Sequence, residues 1–132
     1  MKAVVDTNFF VSSFFGGNPR KVIDLWKTGE LILCLSAPIV EEYTAVLIRL
    51  GLGGEGELGE LLDLFARGTN LAFIAQTPKL TVVAADPGDD KFIECAVALK
   101  ADAIITGDRA LRAIGSYMGI RILSPQELIK SL

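Results

Sequence analysis

Short apolar runs recur from one end of this chain to the other, and segments of helical period lie between them. The runs are Lys2 to Val5, Leu31 to Leu35, Leu71 to Ala75, Ala103 to Thr106 and Ile120 to Leu123. Each is too short for a helix, rich in apolar side chains and set off by polar or turn-forming residues, so each reads as a strand. Asn18-Pro19 opens a helix with proline in its first turn, and Val22, Ile23, Leu25 and Trp26 keep its period until Gly29. Ser36 is the expected N-cap of a helix whose apolar stripe is Val40, Tyr43, Leu47 and Leu50. Leu58, Leu61, Leu62 and Phe65 predict a further helix closed by Gly68, after a glycine-rich and mobile connection from Gly51 to Gly59. The turn Asp86-Pro87-Gly88-Asp89 leads into a helix through Ala101; shorter helices are expected over Arg109 to Ile114 and, after Ser124, over Pro125 to Leu132. Asn8 to Phe15 is apolar without a decided period, and Leu80 to Val83 reads as a connection or an edge strand. Strand and helix in strict alternation predict an α/β chain, a three-layer sandwich around a mostly parallel sheet. A length of 132 residues fits one domain spanning 1–132.

The chain has no histidine. That removes serine–histidine triads, histidine bases and histidine-held metals, so chemistry here must rest on carboxylates, hydroxyls, thiols, amines or an oxygen-held cation. Cys34 and Cys95 both lie in apolar runs and read as buried thiols. No apolar run reaches the length of a membrane span, and Asp6 interrupts any leader-like core, so a cytoplasmic protein is expected. The net charge is −3. Without four of its acids the chain would be slightly positive, so acidity does not exclude a nucleic-acid substrate, although it argues against extensive non-specific phosphate binding.

In a doubly wound sheet, sites form beyond the carboxyl ends of the strands. Asp6 follows the first strand, and Asp108 follows the strand that ends at Thr106, with Gly107 between them. Glu42 lies early in the helix after the second strand, at the edge of the apolar stripe, whereas its neighbour Glu41 points away from it. Among Asp86, Asp89 and Asp90, capping accounts for the first two and leaves Asp90 without a structural task. Helical phase alone puts Asp89 nearer the stripe, so the pattern does not choose between Asp89 and Asp90. Asp6 could equally cap a turn and Asp108 the helix that follows it. Thr7, Asn8 and Thr106 are short polar residues at the same edge, suited to holding carboxylates or bound water. Carboxylates gathered within a few ångströms repel one another, and a hard divalent cation such as Mg²⁺ or Mn²⁺ relieves the repulsion.

Four motifs together resemble the PIN domain: Asp6-Thr7-Asn8 after an N-terminal strand, Ser36-x5-Glu42-Tyr43, Asp90-x-x-Ile93-x-x-Ala96, and Thr106-Gly107-Asp108. The resemblance covers almost the whole chain and is nearest to the VapC-like branch, the toxin components of toxin–antitoxin pairs. It implies an α/β/α nuclease domain, a Mg²⁺ or Mn²⁺ ribonuclease site, and frequent homodimers. It also turns the choice between Asp89 and Asp90 toward Asp90. On this reading Asp6, Asp90 and Asp108 hold the metal and Glu42 completes the catalytic set. RNA is cleaved to a 5′-phosphate and a 3′-hydroxyl, Arg109, Arg20 and Lys21 are candidate phosphate contacts, and a small antitoxin is a possible partner. Two rivals stand beside it. A phosphatase with Asp6 as nucleophile would want a second aspartate where Asn8 stands, and a non-catalytic interaction module would have no need of intact acids.

Overall fold

The computed structural model describes residues 1–13, 18–51, 59, 63 and 65–131. Six strands form one sheet in the order β3-β2-β1-β4-β6-β5. They are β1 (Lys2–Val5), β2 (Ile32–Ser36), β3 (Leu71–Ile74), β4 (Ala103–Ile105), β5 (Ser116–Tyr117) and β6 (Ile120–Leu123). All neighbours are parallel except β5, which turns back against β6. The helices are α1 (Thr7–Ser12), α2 (Asn18–Thr28), α3 (Ala37–Arg49), α4 (Asp90–Leu99), α5 (Arg109–Arg112) and α6 (Pro125–Lys130).

Successive residues of a strand face opposite sides of a sheet, so burial reports what covers each side. Ala3, Val4 and Val5 of β1 and Ala103, Ile104 and Ile105 of β4 are all buried. Both faces are therefore covered by helices, the arrangement that parallel sheets require. This is the expected three-layer α/β/α sandwich. On one side the core is aromatic: Phe10 stacks on Tyr43 with ring centroids 4.1 Å apart, and Trp26 meets Phe10 at 6.3 Å and Phe65 at 5.9 Å. The Tyr43 hydroxyl donates to the carbonyl of Val5, which ties α3 to the end of β1.

Several boundaries differ from the sequence reading. The ambiguous segment after Asp6 is helical from Thr7 to Ser12, because Asp6 caps it by accepting from the Phe9 amide at 2.9 Å; Phe14 and Phe15 lie outside the described residues. Strand β2 begins one residue late, since the Leu31 amide closes α2 by bonding to Leu25. Strands β3 and β4 each stop one residue early, at Ile74 and Ile105. Helix α4 ends at Leu99, where Lys100 takes a left-handed conformation with φ 55°. The two-residue β5 carries no periodic signal of its own. Residues 80–83 form no strand: two acids of α4 hold their amides, as described below. Of the helix expected between Leu58 and Gly68, residues 65–67 are helical and most of the rest lies outside the described residues, as does most of the glycine-rich stretch before it.

The topology fixes where a site can form. The chain builds outward from β1 through β2 to β3, then returns to the other side of β1 to lay down β4 and β6. Crossovers therefore leave the carboxyl ends of β1 and β4 in opposite directions and open a crevice between them. Because the Tyr43 hydroxyl bonds to Val5 beside that crevice, Tyr43→Phe should lower the unfolding free energy by about 1–2 kcal/mol. Urea denaturation should show this as a lower midpoint with an unchanged slope.

Candidate active site

Asp6 and Asp108 stand at the ends of the two strands that border the crevice, and Thr106 joins them. The Thr106 hydroxyl donates to Oδ2 of Asp6 and accepts from the Asp108 amide at 2.9 Å. Thr106 is fully buried and Asp6 nearly so. Both acids also cap helices: Asp6 opens α1, and Asp108 opens α5 by accepting from the Leu111 amide at 3.0 Å. Capping and clustering are thus compatible, because each carboxylate has more lone pairs than the cap uses. Burial raises the pKa of Asp6 above its ordinary value, against the hydrogen bonds from Thr106 and Phe9, and the charges of Asp108 and Glu42 raise it further.

A cleft of about 280 Å³ is lined by Asp6, Thr7, Asn8, Glu42, Asp86, Asp89 and Asp108, with Arg49 at its rim. A second hollow of about 320 Å³ adjoins it over Asp6, Asn8, Gly107 and Asp108. These are not the largest cavities; one of about 800 Å³ lies beyond the amino ends of the strands, beside Met1, Ala101 and Gly119. Glu42 faces the cleft as its helical phase predicted, but both of its oxygens are engaged. One accepts from the Thr7 hydroxyl, and the other pairs with Lys91 at 2.6 Å. Lys91, the second residue of α4, thus brings a cation into the acidic group and anchors Glu42.

The expected site residue Asp90 is not in this cleft. Its Oδ1 accepts the amides of Val82 at 3.0 Å and Val83 at 2.7 Å, while Glu94 one turn later accepts the amide of Leu80 at 2.7 Å. Asp90 therefore clasps an extended segment to α4 through Oδ1. Asp89 takes the cleft position instead. It makes no capping hydrogen bond, its Oδ2 is buried without a partner, and its carboxyl lies within hydrogen-bonding reach of Asp108 when one of the two is protonated. Burial pushes the Asp89 pKa up to about 7, helped by that hydrogen bond and by the charges of Asp108, Asp86 and Asp6. The signal was present in the sequence, in the helical phase that set Asp89 nearer the apolar stripe. Asp86 is where capping put it, accepting from the Gly88 amide at 3.1 Å, and it also lines the cleft.

The expected phosphate contacts divide. Arg109 is exposed beside Asp108, whereas Arg20 pairs with Asp24 at 3.8 Å on α2, and neither it nor Lys21 lines the cleft. Arg49 and Lys91 carried no sequence signal, because helical surface lysines and arginines are ordinarily solvated. Cys34 and Cys95 are free and buried, and burial raises their pKa values to about 11 and about 12, so both thiols stay protonated as core residues.

The arrangement can attract a cation. Every donor is a carboxylate, hydroxyl or amide oxygen, and the orphaned Oδ2 of Asp89 is the kind of buried atom that a positive ion satisfies. Among the described residues no three acids stand close enough to enclose an ion directly. A divalent cation placed here would have to keep several of its own waters.

An α/β/α sandwich with acids converging at the switch point of its sheet defines a class of carboxylate-centred domains. The PIN domain family model matches residues 2–110, and the chain belongs to that family, whose members are generally nucleases. A search of curated proteins gave no match. Among the described residues no helix is long and apolar enough to cross a membrane.

The two neighbouring aspartates should separate by substitution. Asp90→Ala should cost about 2–3 kcal/mol of stability, since a buried amide and a part-buried one lose their shared acceptor, and Asp90→Asn should keep most of it. Asp89→Asn should leave the metal-free protein as stable or more so. The pH dependence follows from the raised pKa of Asp89. Between about 4 and 7 the folded state holds a proton that the unfolded state has lost, so metal-free stability should fall as pH rises through about 7. Denaturation of wild type and Asp89→Asn at pH 5 and pH 8 checks both, because the variant should lose that part of the slope.

Proposed function

We propose that this chain is a metal-dependent endoribonuclease with Asp6, Asp89 and Asp108 at its centre. The observation that carries this reading is the meeting of these acids at the switch-point crevice, one of them with a buried oxygen that has no partner. Mg²⁺ or Mn²⁺ held there, in part through water, would neutralise charge on phosphoryl oxygens and acidify a bound water. Thr106 links the carboxylate of Asp6 to the backbone of Asp108 and so sets the spacing of the two acids. Lys91 and Thr7 hold Glu42 at its wall, so Glu42 orients water more readily than it binds an ion. Arg49 at the rim can meet a phosphate oxygen. In hydrolysis a water oxygen bonds to phosphorus as the P–O3′ bond breaks and O3′ takes up a proton, which leaves a 5′-phosphate and a 3′-hydroxyl.

The family resemblance suggests the toxin of a toxin–antitoxin pair acting in the cytoplasm, with a small antitoxin as partner. An arginine of such a partner would suit the cleft, because its planar fork pairs with carboxylates in two places. Self-association is also proposed. Phe9 and Phe10 are buried in the chain's own core and offer no interface, but Ile48 and Leu50 at the end of α3 and Phe73 on the edge strand are exposed.

Incubation of the purified chain with single-stranded RNA and Mg²⁺ or Mn²⁺ should give fragments with 5′-phosphates. Asp6→Asn, Asp89→Asn and Asp108→Asn should each reduce the rate at least 100-fold, and excess chelator should abolish it. Absence of cleavage by the intact chain with either metal would instead favour the non-catalytic interaction module. Because a proton held at Asp89 must leave when a cation binds, metal affinity should rise with pH through about 7 in titration calorimetry, with proton release to the buffer.

A further inference from the structure

An acidic cleft cannot by itself hold a phosphodiester chain, so the strand must be gripped from beside it. Asp108 lines the cleft, and the next residue, Arg109, lines a separate groove of about 550 Å³. Arg112 and Arg121 line the same groove. Arg109 and Arg112 come from α5, which Asp108 caps, and Arg121 from the start of β6, the neighbour of β4, so the groove runs from beside the cleft toward the amino ends of the strands, where Arg121 also lines the large cavity. Ala113 and Gly115 leave part of the groove wall without long side chains. Glu127 is the acid in this groove, and it lies 3.9 Å from Arg112, beyond hydrogen-bonding distance. Neither Arg109 nor Arg121 has an acidic partner among the described residues. Three guanidinium groups against one carboxylate make the groove locally positive on a chain whose net charge is −3. Across the cleft, Arg49 supplies a cation at the other rim.

We propose that this groove is the binding track for the single-stranded RNA flanking the scissile bond, with Arg109, Arg112 and Arg121 on successive phosphates and Arg49 steadying the strand on the far side. The proposal rests on the nuclease reading for its substrate class, but the groove is a separate site with its own chemistry. A guanidinium fork matches two phosphate oxygens at once, and a surface track neutralising several phosphates binds with a marked salt dependence. The groove offers no aromatic platform and reads no base edge, so the track grips backbone and leaves sequence choice to the cleft.

Binding can be measured apart from cleavage. Fluorescence anisotropy of a labelled single-stranded RNA, about a dozen nucleotides long, would be followed on the full chain carrying Asp6→Asn. Adding Arg112→Ala and Arg121→Ala should weaken binding at least tenfold at moderate salt. It should also make the slope of log affinity against log salt shallower by about 1.4, at roughly 0.7 per phosphate contact on a single strand. Removing equal charge away from the groove, by Arg67→Ala and Lys79→Ala, should change affinity less than threefold. The track is overturned if the two pairs of substitutions weaken binding equally, or if the arginine pair leaves affinity and slope unchanged. It is also overturned if a polyglutamate peptide of equal charge displaces the RNA at equal concentration, since the groove would then be a dock for an acidic protein. If the intact chain never cleaves RNA but the arginine pair still governs RNA binding, the nuclease reading fails while the track stands.

Discussion

The hydroxyl of Thr106 holds the two halves of the site together. It sits fully buried at the end of β4, gives its proton to Asp6 at the end of β1, and takes the amide proton of Asp108. Burying a carboxylate is costly unless hydrogen bonds replace its water. Asp6 meets that demand with Thr106 on one oxygen and the Phe9 amide on the other. The Phe9 bond also starts α1, and Asp108 starts α5 by accepting the Leu111 amide, so the acids are placed by the elements they help to begin. Around this link the rest is arranged: Tyr43 braces the end of β1, and Glu42 is held by Thr7 and Lys91.

The site is also a place of deliberate conflict. Asp6, Asp86, Asp89 and Asp108 line one small cleft, and burial and mutual repulsion raise the pKa values of Asp6 and Asp89. Lys91 relieves part of this on the Glu42 side, and the orphaned oxygen of Asp89 marks where relief is incomplete. Local instability of this kind is what binding a cation would remove. The supporting clasp is kept apart from the conflict: Asp90 and Glu94, on α4, face the segment 80–83, while Asp89 begins the same turn and faces the cleft. Two adjacent acids thus do opposite work, one accepting two backbone amides on Oδ1 and the other keeping a buried Oδ2 without a partner.

Much of this was legible in the chain. The alternation of short apolar runs and helical segments gave the layered fold, and position after a strand marked Asp6 and Asp108, because a parallel sheet gathers its strand ends at one edge. The apolar phasing of α3 marked Glu42 over Glu41. The structure places Asp89 and Asp90 differently from that reading: Asp89, not Asp90, lines the cleft. A motif spacing and a capping argument both favoured Asp90, and neither could know that the amides of Val82 and Val83 would come back across α4 to claim it. Arg49, Lys91, Arg112 and Arg121 gave no signal, since a lone surface base looks the same whether or not it faces a groove.

The sequence by itself determined the order and kind of the elements, the absence of histidine chemistry and the presence of acids at strand ends. These are local or compositional properties: period, length, turn residues and side-chain type act over a few neighbouring positions. The tertiary structure alone decided which acid of an adjacent pair enters the cleft, which lysine reaches Glu42 and which arginines share a groove. Those outcomes depend on contacts between residues far apart in the chain, such as Glu42 with Lys91 and Thr106 with Asp6. Such contacts are set by how the helices settle on the sheet, and no local pattern encodes them.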